Sequence, residues 1–167
     1  NMDVVESNIR FFVANNVRSA FIQSPGGLAT EFSDLKNYIT SNLLWNPNRS
    51  GTNLRDEFLT LHYGKAAGPI RDYLNLLHDR ARINTKSKPW VSFCGRTDNF
   101  GIDDEVTQAG MEAFEDALKL AGDDEVLLFR VEKASICAYS AAITPALYWG
   151  EDQGVGWNNQ EYPKEAM

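Results

Sequence analysis

Apolar residues recur at intervals of three and four along most of this chain, the spacing of one face of an α-helix. Val5, Ile9, Phe12 and Val13 mark a first helix between Asp3 and Arg18, with Asp3 placed as its N-cap and Glu6 completing a capping box. A different pattern follows. Ala20-Phe21-Ile22-Gln23, closed by Ser24-Pro25-Gly26-Gly27, reads as a buried strand ending in a loop. A lone strand leaves its backbone N–H and C=O groups unpaired. Either it is a short extended stretch laid against helices, or its partners lie upstream in a larger protein.

Helical periodicity then takes over. Thr30 can cap a helix with the stripe Phe32, Leu35, Ile39, Leu43 and Leu44, which stops at Trp45-Asn46-Pro47 because proline pushes its predecessor out of helical geometry. A helix from Asn53 to about His62 carries Leu54, Phe58 and Leu61, and Gly64 suits the left-handed position after it. Pro69 fits the first turn of the next, whose stripe is Ile70, Tyr73, Leu74, Leu77 and Ala81. Residues 84–102 have the composition of a long ordered loop. Another helix starts at Asp103 or Asp104 and ends at Gly122, presenting Val106, Met111, Phe114, Ala117, Leu118 and Ala121. The last starts at Asp123-Asp124-Glu125, includes Val126, Phe129, Val131, Ala134, Ala138, Tyr139 and Ile143, and is limited by Pro145. Short connections imply antiparallel neighbours. The expected fold is mainly α: an antiparallel helical bundle with a short N-terminal strand and one long ordered loop. Its expected parts are helix plus strand over 1–27, the bundle over 28–150 and an irregular tail over 151–167.

Charge narrows the range of partners. The chain's 167 residues carry 23 acidic and 16 basic side chains, a formal charge of −7. Such a surface repels phosphate backbones and anionic membranes, so neither nucleic acid nor membrane is an expected partner. It suits neutral ligands such as sugars. Cys94 and Cys137 are too few for a disulfide framework and too far apart for a metal knuckle. They can pair across the fold or stay as buried thiols, and the hydrophobic character of free cysteine favours the thiols.

Candidate chemistry is thin. Asp103-Asp104-Glu105 and Asp123-Asp124-Glu125 sit at helix starts, where capping and the helix dipole explain them. His62 and His78, on separate helices, lack an assigned carboxylate to complete a metal site. Cys94, between Phe93 and Gly95, has no known base beside it. No catalytic residue, metal or cofactor is expected. The tryptophans Trp45, Trp90, Trp149 and Trp157 fall in or beside loops, where an aromatic face can stack on a sugar ring. Packing is the competing role for Trp45 especially, since tryptophan at a helix end often plugs a core.

The stretches Leu35-Lys36-Asn37-Tyr38-Ile39, Leu43-Leu44-Trp45-Asn46-Pro47, Asp56-Glu57-Phe58, Tyr63-Gly64-Lys65-Ala66-Ala67 and Ile70-Arg71-Asp72-Tyr73-Leu74 form a specific pattern. Together they resemble the bacterial domain of unknown function 4838, and Phe129-Arg130-Val131-Glu132-Lys133-Ala134 looks like that family's final helix. The likeness spans Ala20 to Tyr148. It implies a place in large proteins with a barrel similar to glycoside hydrolase family 20. On that view the first helix and strand close an upstream barrel, whose active site lies beyond the C-terminal ends of its strands. The implied role is a non-catalytic helical region that supports the barrel, with Gln23, Ser24, Trp45 and Trp90 as candidate saccharide contacts. The implied partners are the upstream barrel or a homo-oligomer, and the implied location is secreted or periplasmic. The alternative is a helical interaction or scaffolding module that touches no sugar.

Overall fold

The computed structural model describes residues 2–22, 32–87 and 101–147. Among them are six α-helices: α1 (Val5–Ala14), α2 (Ser33–Trp45), α3 (Gly51–Tyr63), α4 (Ala67–Ser87), α5 (Asp104–Ala121) and α6 (Glu125–Leu147). A 3-10 turn at Met2–Val4 precedes α1, and another at Gly64–Ala66 joins α3 to α4. The mainly helical expectation holds.

Most boundaries follow from local chemistry. Asn46 is extended ahead of Pro47 and ends α2. Ser50 caps α3, its Oγ accepting the Asn53 N–H at 3.3 Å. Asp103 and Asp124 do the same for α5 and α6, accepting the N–H groups of Val106 and Leu127 at 3.0 Å each. Positive φ angles at Gly64 (47°) and Gly122 (57°) end α3 and α5 where a side chain would be strained. Pro69 lies in the first turn of α4, where no intrahelical donor is lost.

One core unites the elements. Leu35, Ile39 and Leu43 of α2 meet Leu54, Phe58 and Leu59 of α3, Ile70 and Leu74 of α4, Phe114 of α5, and Val131 of α6. Phe32, at φ 46°, accepts a left-handed backbone while its ring is buried in this core. Helices α5 and α6 form a hairpin across the turn 122–124, and α4 packs on α5. Gly110 makes that last approach possible: a Cβ there would lie 2.7 Å from the Tyr73 ring. Ala134, Ala138 and Ala141 are buried, so the small residues of α6 do permit close packing.

Several expectations fail, and others fall outside the described residues. Residues 17–22 form no strand, no strand occurs among the described residues, and Phe21 is 93% exposed. Strand-favouring side chains cannot build a strand without a paired neighbour. Gln23 and Ser24, and Thr30 as a cap, lie outside the described residues; α2 starts at Ser33, with no side-chain cap at Phe32. Asp3 does not cap α1, whose N-cap is Val4; tertiary partners claim both Asp3 and Glu6. Helix α4 runs to Ser87, into the expected loop, and residues 88–100, with Trp90 and Cys94, lie outside the described part. Pro145 falls inside α6. Leu44 and Leu61, assigned to inward stripes, are exposed, as are Val126, Phe129, Tyr139 and Ile143 of α6.

Candidate functional site

A hollow of about 540 Å³ lies between the opening turn, α1, α2, α3 and α4. Its floor is apolar, Met2 and Ile39, and its walls are polar: Asp3, Glu6, Thr52, Arg55, Asn75, His78, Asp79 and Arg82. Three stretches far apart in sequence, 3–6, 52–55 and 75–82, supply these polar groups.

Carboxylates hold the walls together. One oxygen of Asp3 lies 2.9 Å from His78 Nδ1, and the other accepts from Arg82. Arg82 also reaches Asp79 at 2.6 Å. Burial disfavours the Asp3 charge, but the charges and hydrogen bonds of His78 and Arg82 outweigh it and hold that carboxyl below its usual range. Glu6 accepts the Gly51 N–H at 2.6 Å and pairs with Arg10 at 2.8 Å. It thus places a negative charge at the N-terminus of α3, where the helix dipole favours one. Arg10 in turn donates to the Pro47 carbonyl at 3.2 Å.

Arg55 is the least satisfied group in the wall. Its Nε is buried without a hydrogen bond among the described residues, 3.6 Å from Asp56 Oδ1. That oxygen is likewise unbonded and lies 3.6 Å from Arg71 Nε. Carboxylates, guanidinium groups, an amide and a hydroxyl around one hollow suit a small ligand that both donates and accepts hydrogen bonds. No hydroxyl or thiol is bonded to His78 among the described residues, so its contact with Asp3 ties the opening turn to α4 rather than activating a nucleophile.

Trp45, the last residue of α2, is 92% exposed, which excludes a core-plug role and leaves its ring faces open. It does not line the polar hollow. Beside it in sequence, Arg49 donates to Asn42 at 2.6 Å and to Glu57 at 2.8 Å, and Glu57 accepts from Tyr38. The Trp-Asn-Pro turn is therefore clamped onto α3. The hydrogen bond from Tyr38 lowers the Glu57 pKa, and the same bond raises that of Tyr38.

His62 has a different setting from His78. Its ring stacks on Phe58 at 4.6 Å, and its carbonyl accepts from Arg130 at 3.0 Å. Burial, then the Arg130 charge, lowers its pKa. No group of three or more potential metal ligands occurs among the described residues. The acidic clusters act at helix starts as expected; Asp103 and Glu105 also bind Arg80. Cys137 is half-buried, its Sγ 3.1 Å from the Ala134 carbonyl.

Residues 1–75 match one family model, the Domain of unknown function (DUF4838). This segment is similar to that family. The DUF4838-like segment includes the Trp-Asn-Pro turn and the Tyr-Gly-x-Ala-Ala connection, while the expected likeness at Phe129–Ala134 lies outside the match. It also contains every wall residue of the hollow except His78, Asp79 and Arg82. No curated protein and no solved structure matches the chain.

Proposed function

We propose that this chain is a non-catalytic helical region of a carbohydrate-active, glycoside-hydrolase-like protein, which supports a larger body and offers saccharide contacts at its edge. The observation that carries this reading is the polar hollow, most of whose wall falls in the DUF4838-like segment. Its mix of donors and acceptors suits neutral hydroxylated ligands. Trp45 adds an open aromatic face, and Gln23, Ser24 and Trp90 remain proposed rim contacts. The supported body, a barrel in the same polypeptide, would cover the exposed Phe11, Val13 and Phe21.

Titration of the isotopically labelled chain with neutral oligosaccharides tests the reading. Amide shifts are expected around Arg55 and Asn75, with a tryptophan fluorescence change that Trp45→Ala diminishes. Aryl glycosides are expected to remain intact. A flat response across a broad glycan panel would sink the sugar reading, and hydrolysis abolished by a carboxylate substitution would sink the non-catalytic one. A second reading, an interaction module that binds no sugar, is favoured by the outward apolar face of α6.

A further inference from the structure

Helix α6 has two apolar faces. Leu127, Val131, Ala134, Ala138 and Ala141 point into the core. On the opposite side, Phe129, Ile136 and Ile143 repeat every seven residues with Tyr139 beside them, and all four are exposed. At 1.5 Å per residue the stripe from 129 to 143 is roughly 21 Å long, enough for a partner helix of four turns. Exposed apolar side chains in one stripe mark a face suited to a partner, and no described residue covers this one.

The sequence of the stripe specifies the cover. Phe129, Ile136 and Ile143 occupy the a positions of a heptad, and the d positions read Glu125, Glu132 and Tyr139. Glu125 and Glu132 are exposed, so apolar layers alternate with carboxylate layers. A second copy in parallel would set each glutamate against itself. The antiparallel copy with a facing d would set Glu132 against Ile136. Residues 148–167 carry Glu151, Asp152, Glu161 and Glu165 against Lys164 alone, so their charge also has the wrong sign. An anionic lipid surface is repelled for the same reason.

We propose that the outward face of α6 docks a basic amphipathic helix of another protein, apolar where it meets Phe129, Ile136 and Ile143 and carrying Lys or Arg where it meets Glu125 and Glu132. Apolar layers supply affinity, and the charged layers select register and partner. This docking is independent of the sugar-binding reading and uses none of the hollow's residues.

The test uses the full chain and two fluorescein-labelled helical peptides of 21 residues. One has isoleucine at a and lysine at d; the other has isoleucine at a and glutamate at d. Fluorescence anisotropy is expected to show saturable binding of the lysine peptide, at least about tenfold tighter than the glutamate peptide and weakened by added salt. Ile136→Glu is expected to abolish binding while the circular dichroism spectrum is unchanged, because Ile136 is outside the core. Glu132→Lys is expected to reverse the preference towards the glutamate peptide. No binding of the lysine peptide, or equal binding of both peptides, overturns the proposal. So does concentration-dependent dimerisation of the chain that Ile136→Glu removes, since the occupant would then be a second copy.

Discussion

Individual side chains in this protein are set by what they touch rather than by their own preferences, and two of them give measurable consequences. Gly110 sits where the edge of the buried Tyr73 ring comes closest to α5, and Tyr73 in turn packs edge-on against Phe114 at 5.6 Å. Gly110→Ala would normally favour a helix, but here the added methyl must displace a ring in a packed core. We expect a loss of about 1–3 kcal/mol in chemical denaturation, in spite of the better helix propensity. His62 gives a pH signature. Its folded pKa is depressed below the unfolded value, so the unfolded chain binds the proton more readily. The contribution is therefore complete above the unfolded pKa and is lost as pH falls through the folded one. Melting temperature should drop on acidification below about pH 6.5, a reference value for free histidine. His62→Phe keeps a ring against Phe58 and should flatten that part of the profile.

Helices show where local signals suffice. Ser50→Ala removes the hydroxyl that accepts the Asn53 N–H and should cost about 0.5–2 kcal/mol in thermal unfolding. Asp103→Ala should cost a similar amount and also release Arg80. The acidic caps at Asp103 and Asp124 were legible in the sequence, as were the stops at Pro47, Gly64 and Gly122, because each depends on neighbours within four residues. The strand was not, since Phe21 and Ile22 have the right propensity but no partner chain to bond. Nor was the direction of the last helix. Periodicity reveals that α6 has apolar faces, and only packing decides that the Val131 side is covered and the Ile136 side is open. Leu44 and Leu61 misled for the same reason: each lies one step off a stripe that the core does fill.

At the scale of the whole molecule, the polar hollow was illegible because its wall is assembled from residues up to 79 positions apart. Asp3 and Glu6 carry a strong local signal for capping their own helix, yet they bind α4 and α3 instead. No spacing rule links Asp3 to His78 or Arg82. This long-range tie predicts that Asp3→Asn, which keeps the shape and removes the charge, lowers stability at neutral pH by about 1 kcal/mol or less. Because the folded Asp3 pKa is depressed, the difference between wild type and variant should be complete above the unfolded aspartate pKa and vanish as pH falls through the folded one. Paired urea titrations at neutral and strongly acidic pH would measure it.

The same tie bears on how the chain is made. Within this chain, residues 2–10 are synthesised before their anchors at Gly51, His78 and Arg82, which do not exist until several more helices have been made. The α5–α6 hairpin closes over a turn of three residues and can form as soon as it emerges. Helix α1 should therefore wait, with Ile9 and Phe12 uncovered, until α4 clears the exit tunnel. Nascent chains stalled before α4 is complete should be cut within α1 by a protease, and chains stalled after it should resist.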